Sequence, residues 1–426
     1  LEQLKQNIEN STVSTSKGLD ESKQLQNIPL TKQAEKVLRL TYLEAKYFKT
    51  NLVETDHLLM AILRDEDNVA TQILEKYQVF YDQIKEITPG HALIIDKSGD
   101  FSEEPFIDRL EQKSCSFERI YFSRGSDPDI YNERKELGRL VIPQILEEVN
   151  NDLKHTVFSY IPNTAETAFL GMLDGLENEL AKQRKKAIME GVLFEKDLDE
   201  LLTFRPRVEK LIAKDVKVRT FITNDAQRDD MVSHVYDTTY EVIQKNVDSV
   251  VLIDDSIVRG TTLEKSILQL LDKLSPKKIV IVSSAPQIRY PDCYGIDMSK
   301  LGDFVAFRAA IELLKERGME HVITEVHETI KEMHRNNQLH TENVVRRLYK
   351  PFTTEEISDK IAQLITPSNV NIPVEVIYQT IEDLHECCPT NTGDWYFTGN
   401  YPTPGGNRVC NKAFLNYIEG ANVRGY

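Results

Sequence analysis

The chain has 426 residues, of which 40% are hydrophobic and 28% charged, and its formal net charge is −16. This composition is typical of a soluble globular protein with two or three domains. The acidic balance argues against a general nucleic-acid binder, and no apolar run approaches the roughly 20 residues of a membrane helix. Five scattered cysteines do not form the pattern of a disulfide framework, so a cytoplasmic location is expected.

The front of the chain has a helical pattern. Residues 1–28 are polar, and we interpret them as a linker or a frayed helix. Over 29–81, apolar residues recur at intervals of three and four behind two threonines that can cap helices. The sequence therefore predicts a small all-α unit over 29–81. A linker or remnant hairpin is expected over 82–110, with a strand at His91–Asp96.

A second pattern, in which strands and helices alternate, covers residues 111–386. That alternation predicts an α/β domain with a mostly parallel sheet flanked by helices. Its clearest β-rich runs are Thr156–Ile161, Ser249–Ile253 and Lys278–Ser283.

Two further expectations concern the helices and the end of the chain. Long amphipathic helices are predicted over Gly138–Asp152 and Phe304–Arg335. The last segment, 387–426, is rich in Gly, Pro, Asn and Thr. We therefore predict an irregular tail there.

The stretch Val250–Thr262 (VVLIDDSIVRGTT) carries the clearest chemical signal. It predicts a buried strand that ends in Asp254 and Asp255, at the edge where open α/β sheets bind their ligands. The small and hydroxyl residues that follow lead into a helix, whose N-terminal amides favour an anion. Paired carboxylates beside such a pocket suit sugar hydroxyls and a hard cation such as Mg²⁺. A charged surface turn is the plain alternative for an Asp-Asp pair, but the whole stretch in order favours a phosphate site.

This stretch resembles the phosphoribosyl pyrophosphate (PRPP) motif of type I phosphoribosyltransferases, and of amidophosphoribosyltransferases in particular. Other segments resemble motifs of the same family in the same order, so that the resemblance covers about residues 86–426. It implies a type I phosphoribosyltransferase-like parallel sheet with flanking helices. The matching segments are Cys115–Asp127 (CSFERIYFSRGSD), Ile161–Thr164 (IPNT), Val218–Ile222 (VRTFI), Ser283–Asp297 (SSAPQIRYPDCYGID) and Phe397–Thr403 (FTGNYPT).

The resemblance also implies roles for individual residues. Asp254 and Asp255 would hold the ribose hydroxyls and, with Thr164, the Mg²⁺. Lys217 and Arg219 would belong to a mobile loop that closes over PRPP, although an exposed basic edge is an equal alternative for that pair. The 5′-phosphate would lie against Ser256, Ile257, Val258, Arg259, Gly260, Thr261 and Thr262.

The activity implied by the resemblance is transfer of the phosphoribosyl group of PRPP to ammonia. It releases pyrophosphate and gives 5-phosphoribosylamine, the first step of purine synthesis. Family members usually begin with a glutaminase domain whose N-terminal cysteine is the nucleophile, whereas the first cysteine here is Cys115. We therefore expect the glutaminase domain to be missing and glutamine-dependent activity to be lost.

Some amidophosphoribosyltransferases bind an iron–sulfur cluster through four cysteines, the usual ligand set. In this sequence, the matching positions hold a single cysteine. No iron–sulfur cluster is therefore expected. The four positions are Cys115, Asp292, Gly393 and Tyr396.

Residues 1–81 resemble a different family, the Clp N-terminal domain of Clp-type AAA+ chaperones, in its second helical repeat. The resemblance lies in Pro29–Ala45 (PLTKQAEKVLRLTYLEA) and Glu54–Leu74 (ETDHLLMAILRDEDNVATQIL). No Walker A sequence occurs in the chain, so no ATPase module is expected. The resemblance implies a docking segment for protein adaptors or substrates.

Three interpretations of the whole chain remain open. The first is an enzyme that uses PRPP, Mg²⁺ and ammonia, without a nucleic-acid or membrane partner, and for which the family admits a homo-oligomer. The second is a Clp-type docking module fused to an inactive PRPP-binding domain. The third is a non-functional chimera of two genes.

Overall fold

The computed structural model describes two compact units, residues 1–112 and 113–426, which are treated separately. The predicted all-α unit over 29–81 lies largely outside the described residues. The described residues are 37, 41, 58, 61–62, 88, 90–95, 101–108, 111, 113–123, 125, 127–162, 165–191, 195–214, 236–293, 298–421 and 423–425.

In the first unit, the described residues include an antiparallel pair of strands. Strand β1 (His91–Ile95) pairs with β2 (Phe101–Pro105), with His91 opposite Pro105. The strand predicted at His91–Asp96 is therefore confirmed. The interpretation of this hairpin as the remnant of another domain stays a prediction, as do the boundaries of the predicted domains.

The second unit is built on a parallel sheet. The strands of the parallel sheet are β3 (Thr156–Tyr160), β4 (Arg207–Val208), β7 (Ser249–Asp254), β8 (Lys278–Ser283) and β9 (Val374–Tyr378). Strands β5 (Ile212–Lys214) and β6 (Tyr236–Thr238) form a separate antiparallel pair. Among the described residues the sheet order is β4-β3-β7-β8-β9, and each neighbouring pair is parallel. Tyr160 lies opposite Ile253, and Asp254 lies opposite Ser283. The carboxyl ends of β3, β7 and β8 therefore meet at one edge.

Helices surround this sheet, and none of those described is long and apolar enough to cross a membrane. Short 3₁₀ turns lie at Leu153–His155, Leu301–Asp303 and Val344–Leu348, and π-helical turns at Glu118–Phe122 and Leu263–Ile267. The α-helices are α1 (Pro128–Leu140), α2 (Ile142–Glu148), α3 (Glu166–Glu190), α4 (Glu195–Thr203), α5 (Leu268–Asp272), α6 (Val305–Glu316), α7 (Glu320–Arg335), α8 (Thr354–Ile365), α9 (Ile381–Cys387), α10 (Trp395–Thr398) and α11 (Pro404–Ile418).

The sheet is buried on both faces. Val250 and Leu252 of β7 belong to one apolar cluster, which includes residues of α5, α6 and α8. Val251 and Ile253 belong to a second cluster on the opposite face, with residues of α2 and α3. Successive side chains of a strand point to opposite faces, so a run such as VVLI is apolar throughout only when both faces are covered. The predicted α/β class, with a parallel sheet between helices, is confirmed.

Each of the two long helices predicted from the amphipathic pattern is divided into two shorter helices in the structure. The stretch Gly138–Asp152 is divided at Val141, because Pro143 in the first turn of α2 has no N–H to donate to the preceding turn. The stretch Phe304–Arg335 is divided at Gly318, whose φ of +63° is left-handed backbone that ends α6. Apolar periodicity continued through both breaks, which is why the sequence pattern concealed them.

The prediction of an irregular tail after residue 387 is wrong. Helices α10 and α11 occupy much of this segment, and Trp395, Tyr396 and Phe414 are among its buried side chains. The side chain of Thr403 caps α11 by accepting a hydrogen bond from the Gly406 N–H at 3.3 Å. The Gly, Pro and Asn content of the segment suggested a loop, but burial of its large aromatic side chains stabilises ordered structure.

Helices α1 and α3 cross with their backbones in contact. A Cβ atom placed on Gly171 would lie 1.6 Å from the Lys135 carbonyl oxygen, and one on Gly138 would lie 1.8 Å from that of Ala168. No side chain fits between main chains at this separation. Glycine is therefore required on both helices at the crossing.

We expect Gly171→Ala to lower the free energy of unfolding by about 1–3 kcal/mol, because the added methyl group must push α1 away from α3. Urea denaturation measures this change. The matched control is Gly405→Ala in α11, where the nearest atom to an added Cβ is Thr403 Oγ1 at 3.9 Å. Equal stability of Gly171→Ala and the wild type would contradict the crossing.

Candidate functional site

Two adjacent carboxylates stand where β7 ends. The Asp255 N–H donates a hydrogen bond to Asp254 Oδ1 at 2.9 Å. The Ser256 hydroxyl donates to Asp255 Oδ1 at 3.1 Å. Both aspartates are half-buried. Each of these local hydrogen bonds orients one of the two carboxylates.

Neighbouring strands fix the backbone beneath the pair. Ser284, just past β8, donates its N–H to the Asp254 carbonyl at 2.9 Å and its hydroxyl to the Asp255 carbonyl at 3.3 Å. On the other side, the Ile161 N–H donates to the Ile253 carbonyl at 2.9 Å. Because the main chain is held on both sides, the carboxylates occupy a defined position at the carboxyl edge of the sheet.

Gly260 shapes the loop that follows. Its φ of +73° lies in the left-handed region, which favours glycine. A Cβ atom at this position would lie 2.6 Å from Ile365 Cγ2 of α8. Both the backbone angle and the approach of α8 therefore require glycine at this position.

The same loop is tied to α6 by two of its carbonyl groups. The Val305 N–H donates to the Val258 carbonyl, and Arg308 Nη2 donates to the Arg259 carbonyl, each at 2.8 Å. The Arg259 guanidinium lies 3.4 Å from the Asp303 carboxylate. The predicted helix begins at Thr261 and passes through a π-helical turn before α5. The body of the protein thus sets the loop conformation.

Electrostatics at the pair favour a positively charged or hydrogen-bond-donating ligand. Burial raises the pKa of Asp254 well above its ordinary value, the negative charge of Asp255 raises it further, and the Lys214 ammonium opposes both. Two carboxylates that share little water repel each other, and a cation or sugar hydroxyls would reduce that repulsion. The acid pair is therefore suited to the ligand types predicted from the sequence.

Three predicted site residues, Thr164, Lys217 and Arg219, lie outside the described residues. Thr164 falls between Pro162, which follows β3, and α3, which begins at Glu166. The ligand roles of Asp254, Asp255 and the loop 256–262 stay predictions. These residues lie together because they are adjacent in the chain.

The structure also brings to the acid pair three side chains that the motif analysis missed. The pKa of Tyr236 is raised to about 12 by burial and by the charges of Asp254 and Asp255. The charge of Lys214 opposes the rise in the pKa of Asp254, while burial lowers the pKa of Arg134 of α1 and the charge of Asp255 opposes that change. Arg134 holds the turn before α1 by donating to the carbonyls of Arg119 at 3.0 Å and Ser123 at 2.7 Å. These residues belong to no motif, so only the fold could assign them.

For Mg²⁺, the donor set of the edge fits only in part. No group of three or more His, Cys, Asp or Glu side chains suited to a metal occurs in the described part of the chain. Asp254 and Asp255 supply two carboxylates. Mg²⁺ is usually bound by one or two carboxylates together with waters and substrate phosphates, so this pair is compatible with it.

The four positions that the resemblance assigns to iron–sulfur ligands form two contacting pairs, and their side chains do not fit a cluster. Cys115 and Gly393 form a β-bridge, with the Ser116 N–H donating to the Gly393 carbonyl at 2.8 Å. The Tyr396 hydroxyl donates to Asp292 Oδ1 at 2.9 Å within the core. One thiol and a hydrogen-bonded Tyr–Asp pair cannot supply four thiolates.

The fold and its edge define the class of protein. A parallel sheet between two helical layers, with polar residues after β7, is the arrangement of α/β proteins that bind ligands at the carboxyl ends of their strands. In such proteins the chemistry is set by the loops at that edge.

Comparison with known proteins then relates the two parts of the chain to two families. Residues 1–77 match the Clp repeat (R) N-terminal domain. Over 55–76% of its length the chain is homologous to amidophosphoribosyltransferases. The enzyme of Escherichia coli is 29% identical over 260 residues, which are 59% of this chain and 45% of the relative. That of Lachancea kluyveri is 25% identical over 337 residues, 76% of this chain and 49% of the relative.

The chain thus spans somewhat less than half the length of these relatives. A solved glutamine PRPP amidotransferase of Bacillus subtilis, complexed with ADP and GMP, covers 76% of this chain and 55% of its own. The two are 22% identical with a TM-score of 0.44.

The raised pKa of Asp254 gives a testable pH dependence. A carboxyl whose folded-state pKa is raised contributes stability below its unfolded pKa, about 3.9, and loses it as the pH rises through the folded value. Asp254→Asn avoids this loss. In urea denaturation without Mg²⁺, we therefore expect its free energy of unfolding to increase relative to wild type as the pH rises.

The control for this titration is Asp199→Asn, a change of an exposed aspartate on α4. It shows what the loss of one exposed carboxylate does by itself. If the free energies of unfolding of Asp254→Asn and the wild type differ by a constant amount between pH 4 and pH 8, the pKa of Asp254 is not raised in the folded protein.

Proposed function

We propose that this chain transfers the phosphoribosyl group of PRPP to ammonia, with release of pyrophosphate and formation of 5-phosphoribosylamine. The observation that supports this most directly is the oriented acid pair, Asp254 and Asp255, between a parallel strand and the loop 256–262. The homology to amidophosphoribosyltransferases supports the same substrate.

In this proposal each part of the edge binds one part of PRPP. Asp254 and Asp255 accept hydrogen bonds from the ribose hydroxyls. The 5′-phosphate lies against the loop 256–262, where Gly260 permits close approach of the main chain and the hydroxyls of Ser256, Thr261 and Thr262 donate. Mg²⁺, when bound, neutralises charge on the departing pyrophosphate.

Transfer at the anomeric carbon breaks the bond to the pyrophosphate oxygen and forms a bond to the ammonia nitrogen, which then loses a proton to solvent. The sugar passes through an oxocarbenium-like state. The protein forms no covalent bond to the substrate in this step, so orientation and electrostatic stabilisation are its main contributions. The negative charge of Asp254 and Asp255 stabilises the developing positive charge of the ring.

Ammonia is the proposed nitrogen donor because four of the described thiols, those of Cys115, Cys387, Cys388 and Cys410, are poor nucleophiles. The thiolate is the reactive form of cysteine. Burial raises the pKa of Cys115 and of Cys388 to about 12, and it also raises that of Cys387 and Cys410. These shifts disfavour the thiolate form, which supports the expectation that glutamine is not hydrolysed by this chain.

The match of residues 1–77 to the Clp repeat domain favours a second function, a docking segment for protein adaptors or substrates. In this alternative the α/β unit binds PRPP without turnover. The two functions differ in one observable, because a sensor would bind Mg·PRPP without releasing pyrophosphate when ammonia is added.

We expect pyrophosphate release from Mg·PRPP with ammonia at raised pH, where more of the donor is unprotonated. Glutamine should not replace ammonia, for the reason given by the thiol pKa values. A coupled pyrophosphate assay measures both. Binding of PRPP without release would support the docking alternative, and release with glutamine would overturn the assignment of the nitrogen donor.

Asp255→Asn should weaken Mg·PRPP binding by roughly tenfold or more, since hydrogen bonds to a charged group contribute about 1.5–3 kcal/mol. The half-buried edge should remain folded. Isothermal titration gives the affinity and circular dichroism the fold, with Asp199→Asn as the matched control. An affinity equal to that of the wild type would remove Asp255 from the proposed site.

A further inference from the structure

The end of α3, residues 181–190, has two different faces. Its inner face lies against α4, where Arg184 donates hydrogen bonds to the carbonyls of Leu201 at 3.2 Å and Phe204 at 2.7 Å. The residues of α3 that are fully buried end at Leu180. Beyond that point, the face opposite α4 has no covering in the described part of the chain.

This outer face of α3 is cationic and has an apolar end. It consists of residues with the i, i+3, i+4, i+7 spacing of one helix face, namely Lys182, Lys185, Lys186 and Met189. All four are exposed, Met189 to 76%, and the adjacent Ile188 is 52% exposed. Large apolar side chains gain free energy when they leave water. The outer face therefore presents both charge and apolar surface to a partner.

Local stabilisation of the helix does not explain these lysines. The helix dipole favours cations in the last turn only, and the last turn of α3 holds no basic residue. Lys182 and Lys186 are four residues apart, a spacing at which like charges destabilise a helix. Lys182 lies 3.3 Å from Glu179, whereas Lys185 and Lys186 make no ion pair within the described part of the chain. An anionic partner would reduce the repulsion between the lysines.

Helix α7 carries the opposite charges at the same spacing. The residues concerned, again at i, i+3, i+4 and i+7, are Glu325, Glu328, Thr329 and Glu332. They line an open groove of about 590 Å³ beside the turn Val344–Leu348. The three carboxylates are exposed and make no ion pair with any residue that the structure describes. This α7 groove is therefore suited to a cationic helix.

The two helices also match in the order of their charges. After its lysines, the outer face of α3 ends at the exposed Glu190, and after its glutamates, the α7 groove is bordered by Arg335. The charged stretches are roughly 12 and 15 Å long, at 1.5 Å per residue. Charge patterns that match along two helices favour one docked arrangement over others.

The two surfaces lie on opposite sides of the parallel sheet. Met172 of α3 belongs to the apolar cluster that contains Val251, whereas Ile330 of α7 belongs to the cluster that contains Val250. The sheet therefore separates the outer face of α3 from the α7 groove within one molecule. Only a second molecule can bring the two surfaces together.

We propose that the outer face of α3 of one molecule docks in the α7 groove of a second molecule of this chain. The contact joins two different surfaces, so it is a head-to-tail contact. Individual exposed ion pairs contribute little, and the apolar side chains of Ile188 and Met189 add to them. A contact of this size predicts weak association that depends on concentration.

Sedimentation velocity of the purified chain over a range of concentrations measures the association. Two double variants each reverse the charge of one surface. The α3 variant combines Lys185→Glu with Lys186→Glu, and the α7 variant combines Glu328→Lys with Glu332→Lys. An equimolar mixture of the two variants is measured in the same way.

The matched control combines Lys210→Glu with Lys245→Glu. It reverses two exposed lysines outside α3 and α7, and it changes the net charge as the α3 variant does. It therefore separates loss of the contact from general repulsion between acidic molecules. Circular dichroism shows whether each variant is folded.

We expect the wild type to associate, and each charge-reversal variant to associate about tenfold more weakly or less, because like charges then face each other. The control should associate as the wild type does. The mixture should regain the association of the wild type, since the reversed α3 of one variant fits the reversed α7 of the other. Direct contact between the two surfaces is what such a recovery requires.

A wild type that remains monomeric at every concentration would overturn the inference. Association that the α3 variant leaves unchanged would do the same, because the molecules would then meet through other surfaces. So would a mixture that stays dissociated. If a double variant does not fold, the mixture of Lys186→Glu and Glu328→Lys decides the question.

Discussion

The repulsion between Asp254 and Asp255 is the constraint around which this edge of the protein is organised. The Asp254 carboxylate accepts from the Asp255 N–H and the Asp255 carboxylate accepts from the Ser256 hydroxyl, while β3 and β8 fix the main chain beneath them. Burial raises the pKa of Asp254, so the folded chain bears an electrostatic cost there. Such a cost is typical of a binding site, where the ligand supplies the compensating charge or donors.

The rest of the α/β unit keeps that edge in place by close backbone contacts. Gly171 allows α1 and α3 to touch, and Gly260 allows the loop after β7 to lie under α8. The π-helical turn after this loop and the ties from α6 fix its path. A binding loop built on rigid elements loses little conformational freedom when a ligand binds, which favours affinity.

The C-terminal segment contributes to the same support. The Tyr396 carbonyl accepts hydrogen bonds from the N–H groups of Arg289 and Tyr290, and its hydroxyl donates to Asp292. The segment after β8, whose Ser284 holds the acid pair, is thereby fastened to α10. Hydrogen bonding and packing of aromatic rings therefore hold this part of the chain together.

By itself, the sequence determined the class of the fold, the strands β3, β7 and β8, and the position of the acid pair after β7, because these features depend on contiguous residues. Only the tertiary structure decided the breaks at Val141 and Gly318 and the order of the C-terminal segment. It also decided the approach of Lys214 and Tyr236 to the site. These depend on main-chain geometry, on burial of aromatic rings and on pairing between distant strands, none of which local periodicity encodes.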